Sequence, residues 1–224
     1  MAKLARFTFN HFGTNCYLLY EDGGKVLIID PCFTREAEAS QLTDFIAQNN
    51  LQPVAVALTH PHPDHIAGVA FVKRLYNIPL AMHSADNELL AIAPAYGAQM
   101  GFNIEPLVAE IDLATTSHIE VGGVKVEIIH TPGHSKGGVC LYDAEDGILI
   151  SGDTLFAGSI GRSDLPGGDY DELMRSIMDK LLPLGGGVKV YPGHGGNTTL
   201  GQEMGTNPFI GEVLDGGFNK DTTL

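Results

Sequence analysis

Thr59-His60-Pro61-His62-Pro63-Asp64-His65 places three histidines and an aspartate within one short stretch. Pro61 and Pro63 fix their own φ and bias the residues before them, His60 and His62, toward extended backbone. In an extended chain, positions two apart project the same way. His60 and His62 are therefore expected to point together, at the spacing of a chelating pair. Asp64 and His65 follow at the start of the next helix, where the turn of the chain aims them at a second, adjacent point. A lone aspartate there reads as the N-cap of that helix. Beside three histidines, Asp64 reads as a metal ligand.

Outward from this stretch, four polar clusters each follow a run suited to a buried strand. Val54 to Leu58 leads to His60, and Val124 to Ile129 leads to Thr131-Pro132-Gly133-His134. Ile148 to Ile150 leads to Ser151-Gly152-Asp153, and Val188 to Tyr191 leads to Pro192-Gly193-His194. Sites in sheet proteins form where several strand ends deliver loops to one crevice. The Pro-Gly pairs before His134 and His194 make tight turns that hold one side chain in place. The remaining histidines, His11, His83, His118 and His130, have no such pattern and are expected to bind nothing.

The rest of the chain mixes strands and helices. Phe7 to Phe9, Tyr17 to Tyr20 and Val26 to Ile29 read as strands, the last two joined by an EDGG turn. A helix follows, with Thr34 as its expected cap, Glu36 and Glu38 in its first turn, and Leu42, Phe45 and Ile46 on its apolar face. Ile66 to Tyr76 and Ser84 to Ala93 are also predicted helical, with a short strand, Leu80 to Met82, between them. Residues 94–117 are expected to form a helical insertion over the site. Val139 to Tyr142 is a further strand. Leu173, Ile177 and Leu181 predict a helix that stops before Pro183. Helices covering the outer faces of two packed sheets would bury such strands on both sides.

Bulk properties narrow the function. The 224 residues fit a single domain, 1–224, with 44% hydrophobic residues to fill a core. Lys and Arg total 13 against 27 Asp and Glu, so the net charge is 13 − 27 = −14. A field of that sign repels nucleic acid and anionic membrane surfaces. No window is apolar for long enough to cross a bilayer, and MAKLARFTFN carries no leader pattern. Cys16, Cys32 and Cys140 are too widely spaced for a disulfide framework, which suits reduced thiols in a soluble cytoplasmic protein.

HxHxDH, then a PGH histidine, a GD aspartate and a final PGH histidine resemble the metallo-β-lactamase superfamily over about residues 13–203. Gly152-Asp153-Thr154-Leu155-Phe156 and the segment from Gly158 to Asp169 resemble its glyoxalase II-like branch, in the short bacterial form. The resemblance implies an αββα sandwich of two mixed β-sheets with helices on the outer faces. It implies that His60, His62 and His134 hold one metal and that Asp64, His65 and His194 hold another, with Asp153 bridging. β-Lactamases of the family commonly carry cysteine where Asp153 stands. Ligands that are all nitrogen and oxygen suit two divalent ions, zinc first, with iron or manganese also accommodated. Only 30 residues follow His194, so the glutathione-gripping domain of full-length glyoxalase II is expected to have no counterpart here.

The expected chemistry is metal-dependent hydrolysis of a thioester, with a hydroxide held between two metals attacking the carbonyl. Asp64 would orient the attacking water. A thiolate, from a thiol of pKa near ~8.5, leaves with little help. By analogy with the basic residue at the matching place in the family, Arg162 is expected to meet an anionic group of a small-molecule thioester. Its plainer role is a surface ion pair with Asp164 or Asp169. The first alternative is a persulfide dioxygenase with a single iron on His60, His134 and Asp153. A diiron redox module is another, although such relatives usually place Glu where His62 stands and carry a flavin domain. A closed structural metal site is the last.

Overall fold

The apolar runs pair into two mixed sheets in a computed structural model that describes residues 1–217. The domain expected over 1–224 runs past them, and residues 218–224 lie outside the described residues. In the first sheet, β1 (Lys3–Phe9), β2 (Thr14–Tyr20) and β3 (Lys25–Ile29) are antiparallel. The expected turn at Glu21 to Gly24 joins the last two. β4 (Gln52–Ala57), β5 (Leu80–Met82) and β6 (Ile111–Asp112) then add in parallel, so sequence order is sheet order.

In the second sheet, β7 (His118–Val121), β8 (Val124–His130), β9 (Val139–Asp143) and β10 (Ile148–Gly152) form an antiparallel meander. A small separate hairpin follows, β11 (Leu155–Phe156) with β12 (Ser159–Ile160). β13 (Lys189–Pro192) then returns parallel to β10, and β14 (Thr198–Thr199) closes that edge.

The strands alternate between two cores. Every residue of β2 is buried. Tyr17 and Leu19 pack between the sheets with Leu27, Ile29, Val126 and Leu141. Leu18 and Tyr20 point the other way, toward Leu42 and Ile46 of α1 (Glu36–Gln48). Burying each such side chain stabilises the fold by roughly 1.5–3 kcal/mol, which is why these strands read as unbroken apolar runs. α2 (Pro63–Ile66), α3 (Val69–Tyr76) and α4 (Asn87–Gln99) also lie on the first sheet's side. α5 (Tyr170–Arg175), α6 (Leu200–Thr206) and α7 (Pro208–Glu212) place Leu173, Leu200 and Ile210 against Leu149 and Val190 of the second sheet. The architecture is the expected helix–sheet–sheet–helix stack.

Several local expectations are corrected. The cap of α1 is Arg35, not Thr34. The Glu38 carboxylate reaches back to accept from the backbone N–H of Thr34 and Arg35 and from the Arg35 guanidinium. The predicted helix Ile66 to Tyr76 is broken at Ala67–Gly68. Gly68 lies so close to the Phe33 ring that a β-carbon would come within 2.6 Å of it. The helix expected to end at Ala93 runs through Pro94 to Gln99, after a 3-10 turn at Ser84–Asp86. Residues 94–117 are thus helical only at their start, and Ile111–Asp112 forms the edge strand of the first sheet. After Arg175 the chain widens into a π-helical turn, Ser176–Leu181, and then a 3-10 turn that includes Pro183. No helix among the described residues is long and apolar enough to cross a membrane.

Candidate metal centre

β3 and β4 are parallel, and β8, β10 and β13 all run in one direction in the second sheet. Their carboxyl ends therefore open on one edge of the sandwich. That edge receives His60 after β4, His134 after β8, Asp153 after β10 and His194 after β13. The last loop is fastened to the start of β2. Asn15 Nδ2 donates to Pro192 O at 2.9 Å, Tyr17 OH donates to the same oxygen at 2.6 Å, and Asn15 N donates to Gly193 O at 2.7 Å. Gly193 is required for closeness: a β-carbon there would stand 2.1 Å from Asp153 Oδ1 and 2.7 Å from the His65 ring. Gly133, at φ +128°, lets the His134 loop lie on the Leu173 backbone, where a β-carbon would come to 2.2 Å of the amide nitrogen.

All seven residues singled out as ligands meet in this crevice. His134 Nε2 stands 2.9 Å from His62 Nδ1 and 3.2 Å from His60 Nε2. The second trio is Asp64, His65 and His194. His194 Nε2 lies 3.3 Å from Asp64 Oδ2 and 3.4 Å from His65 Nε2. Asp153 touches both groups, with Oδ1 at 3.4 Å from His65 and Oδ2 at 3.5 Å from His194 and 3.7 Å from His134. Asp64 is not the helix cap. His62 holds that place, and Pro63 occupies the first turn.

The outer hydrogen bonds orient these rings inward. His134 Nδ1–H donates to the backbone oxygen of Arg162 at 2.7 Å. His65 Nδ1–H donates to Asp30 Oδ2 at 2.9 Å. His60 Nδ1 faces Thr59 Oγ1 at 3.1 Å, and that hydroxyl donates to Asp30 Oδ2 at 2.6 Å. Each ring thus keeps its Nε2 lone pair for the centre. The lone pairs of His134 Nε2 and His60 Nε2 face each other at 3.2 Å with no proton between them, His62 Nδ1 lies 2.9 Å from the first, and buried Asp153 Oδ1 has no hydrogen-bond partner. A pair of cations satisfies both demands, so the residues fit the implied metals.

Electrostatics divide the centre in two. Burial, reinforced by neighbouring imidazoles, pushes His60 well below the ordinary histidine range and His62 down to about 3, so both are neutral donors. Burial also works against charge on His65 and His194. The carboxylates of Asp64 and Asp153 outweigh it, raising His65 strongly and His194 to about 9. Burial opposes ionisation of Asp64 as well, but His65 and the His194 hydrogen bond hold it down at about 2.

Asp30 was missed in the sequence, although it obeys the same rule as the others: it follows a buried strand, β3. It is buried and supports one histidine of each trio. Replacing it, Asp30→Asn, is expected to weaken affinity at both trios by roughly 10–100-fold. Metal titration of the variant checks this, and a loss confined to one trio would show that Asp30 does not serve both.

Above the centre lies a cavity of about 410 Å³. Phe12, Tyr96, Met100, Phe156, Ile160 and Leu165 supply most of its walls. None of these was assigned to a cavity in the sequence: Phe12 lies in the turn between the first two strands, Tyr96 and Met100 in the expected insertion 94–117, and Phe156, Ile160 and Leu165 in the two segments that resemble the glyoxalase II-like branch. Arg162 also lines it, but its guanidinium makes a two-pronged pair with Asp164, at 2.8 Å for each prong. Asp169 instead caps α5. The four remaining histidines join none of the clusters found among the described residues. His83 stacks on His130, His11 on Phe102, and His118 pairs with Glu120.

Residues 10–194 match the family described as the metallo-beta-lactamase superfamily. This chain belongs to that superfamily. Among its relatives, the hydroxyacylglutathione hydrolase GloC of Haemophilus influenzae is 34% identical over 202 residues, spanning 89% of this chain and 93% of GloC. The crystal structure of the B3 metallo-beta-lactamase BLEG-1 superposes with a TM-score of 0.82 at 37% identity, covering 93% of this chain and 99% of BLEG-1. TTHA1623, solved in a di-iron-bound form, gives 0.80 at 35% identity over 92% of this chain and 99% of its own. The likeness to GloC is consistent with the glyoxalase II-like branch. The histidine and aspartate clusters of this superfamily member fit a metal-dependent hydrolase.

Proposed function

We propose that this member of the superfamily hydrolyses small-molecule thioesters with two divalent metal ions, zinc foremost. The observation that carries the reading is the all-histidine trio and the mixed histidine–aspartate trio joined at Asp153 on the floor of a largely apolar cavity. The name of GloC supports it. His60, His62 and His134 would hold one ion, Asp64, His65 and His194 the other, and Asp153 both. Bound there, such ions supply water acidic enough to ionise near neutral pH and positive charge for a carbonyl oxygen.

The chain's own groups do the rest. Thr14 Oγ1 donates to Asp64 Oδ2 at 2.8 Å and fixes that carboxylate at the edge of the cavity. Ionised Asp64 accepts a hydrogen bond from the attacking water and orients it. The apolar walls exclude bulk water around the acyl group. A thiolate departs without a strong acid, whereas an amide nitrogen must be protonated, and the side-chain hydroxyls on the walls are weak acids, those of Tyr96 and Ser159.

Arg162 would meet an anionic part of the thioester. Its side chain is 62% exposed and that of Asp164 is 71% exposed, and water screens an exposed pair of this kind so that it contributes little. Exchanging Asp164 for a substrate anion therefore costs little. The test is turnover of S-lactoylglutathione, a neutral thioester and a cephalosporin by zinc- and iron-loaded protein. Thioester turnover is expected to exceed that of the cephalosporin on the order of a hundredfold or more. β-Lactam hydrolysis without thioester turnover would make it a lactamase like BLEG-1. Arg162→Ala leaves the carbonyl on His134 in place and should raise KM for the anionic thioester about tenfold, with little change for the neutral one. Equal effects on both would leave Arg162 a surface residue.

A further inference from the structure

We infer that Glu203 on α6 and Asn207 at its end clamp the β11–β12 hairpin and so set the shape of the substrate cavity. The hairpin pairs only Leu155 with Ile160 and Phe156 with Ser159. Two pairs cannot hold a ribbon in water on their own. Yet Phe156, Ser159 and Ile160 all line the cavity, and the Phe156 ring sits edge-on to His194 with centroids 6.3 Å apart. Something outside the hairpin must fix its tip.

Gly158 N–H, at that tip, donates to Glu203 Oε2 at 2.8 Å. Asn207 Nδ2 donates to the backbone oxygen of Ser159 at 3.1 Å and to Glu203 Oε2 at 2.8 Å. Thr198 Oγ1 of β14 completes the set, donating to Glu203 Oε1 at 2.5 Å. Glu203 is 0% exposed, and a carboxylate, which only accepts, suits three converging donors. A side chain serving only to glue α6 to the sheet would end on helix or sheet groups. Here two of the four bonds end on the backbone of the hairpin tip. Glu203 and Asn207 are positioning residues: they touch the wall, and the wall touches substrate.

The kinetic part of the test rests on the thioesterase reading, and amide exchange does not. Glu203→Met keeps volume and removes the acceptor. Glu203→Gln can keep its oxygen toward Gly158 and Asn207 while the Thr198 hydroxyl turns to accept. Asn207→Ser keeps a good cap for α7 but cannot reach Ser159. Glu203→Met and Asn207→Ser are expected to raise KM on the order of tenfold, with kcat and metal content within about twofold. Amide exchange over residues 155–160 should accelerate in both, and Glu203→Gln should behave as the unaltered protein in every measurement. Unchanged KM and unchanged exchange in Asn207→Ser, or a fall in kcat alone, overturns the clamp. Asn207→Ser decides the matter if Glu203→Met does not fold. Absence of thioester turnover by the unaltered protein sinks the thioesterase reading by itself, and the exchange data still judge the clamp.

Discussion

Asp153→Ala is expected to release both metals from the protein. Asp153 places one oxygen 3.4 Å from His65 and the other 3.5 Å from His194 and 3.7 Å from His134. Removing it leaves His60, His62 and His134 as three imidazoles with no anion beside them to balance a divalent charge. The second trio keeps Asp64 alone. Loss of an orienting outer partner costs about 10–100-fold in metal affinity, and loss of a ligand to both ions should exceed that. Metal-to-protein ratio after dialysis is the measurement, with turnover falling on the order of a thousandfold or more. Asp153→Asn keeps the volume and removes the charge. If it fails as badly as the alanine variant, charge rather than a packing defect is responsible. Two ions per chain at unaltered affinity in Asp153→Ala would end the bridging assignment.

The centre is legible in the sequence to the extent that its geometry is local. Prolines between His60, His62 and Asp64 restrict the backbone within a few residues, so their convergence follows from dihedral preferences. His134, Asp153 and His194 could be found because each sits just past a buried strand. Asp30 obeys that rule too, but Asp-Pro after a strand is also an ordinary turn. Its role exists only because His65, distant in sequence, comes to 2.9 Å. The cavity walls were hidden for the same reason. Phe12, Met100 and Phe156 come from three separate segments, and no periodicity reports that they face one space.

Unbroken apolar strands demanded cover on both faces, and the αββα sandwich itself came from what the metallo-β-lactamase resemblance implies. The parallel addition of β4 and β5 to β3 did not, since a fully buried strand looks alike in either direction. The break between α2 and α3 is likewise tertiary. A single glycine is tolerated within a helix, and it is the Phe33 ring against Gly68 that makes this one a boundary.

His194→Ala separates hydrolysis from oxygen chemistry. The dioxygenase alternative needs a facial set of two histidines and a carboxylate with open positions. His60, His134 and Asp153 do come together here, with His134 Nε2 3.2 Å from His60 Nε2 and 3.7 Å from Asp153 Oδ2. One iron on that set would leave Asp64, His65 and His194 as outer partners, whose loss costs about 10–100-fold at most. Two features weigh against such a minor role. His194 makes close contact with both carboxylates, and its loop is fastened to β2 through Asn15 and Tyr17. Those bonds use Pro192 and Gly193 backbone oxygens, so the alanine variant keeps the loop in place and loses only the imidazole. The expected result is a fall from two ions per chain to one, with the first trio still loaded. Thioester turnover should fall by far more than the outer-partner range, on the order of a thousandfold. The unaltered protein should consume no oxygen with a glutathione persulfide. Oxygen uptake at one iron per chain, persisting in His194→Ala, would replace the hydrolase reading with the dioxygenase.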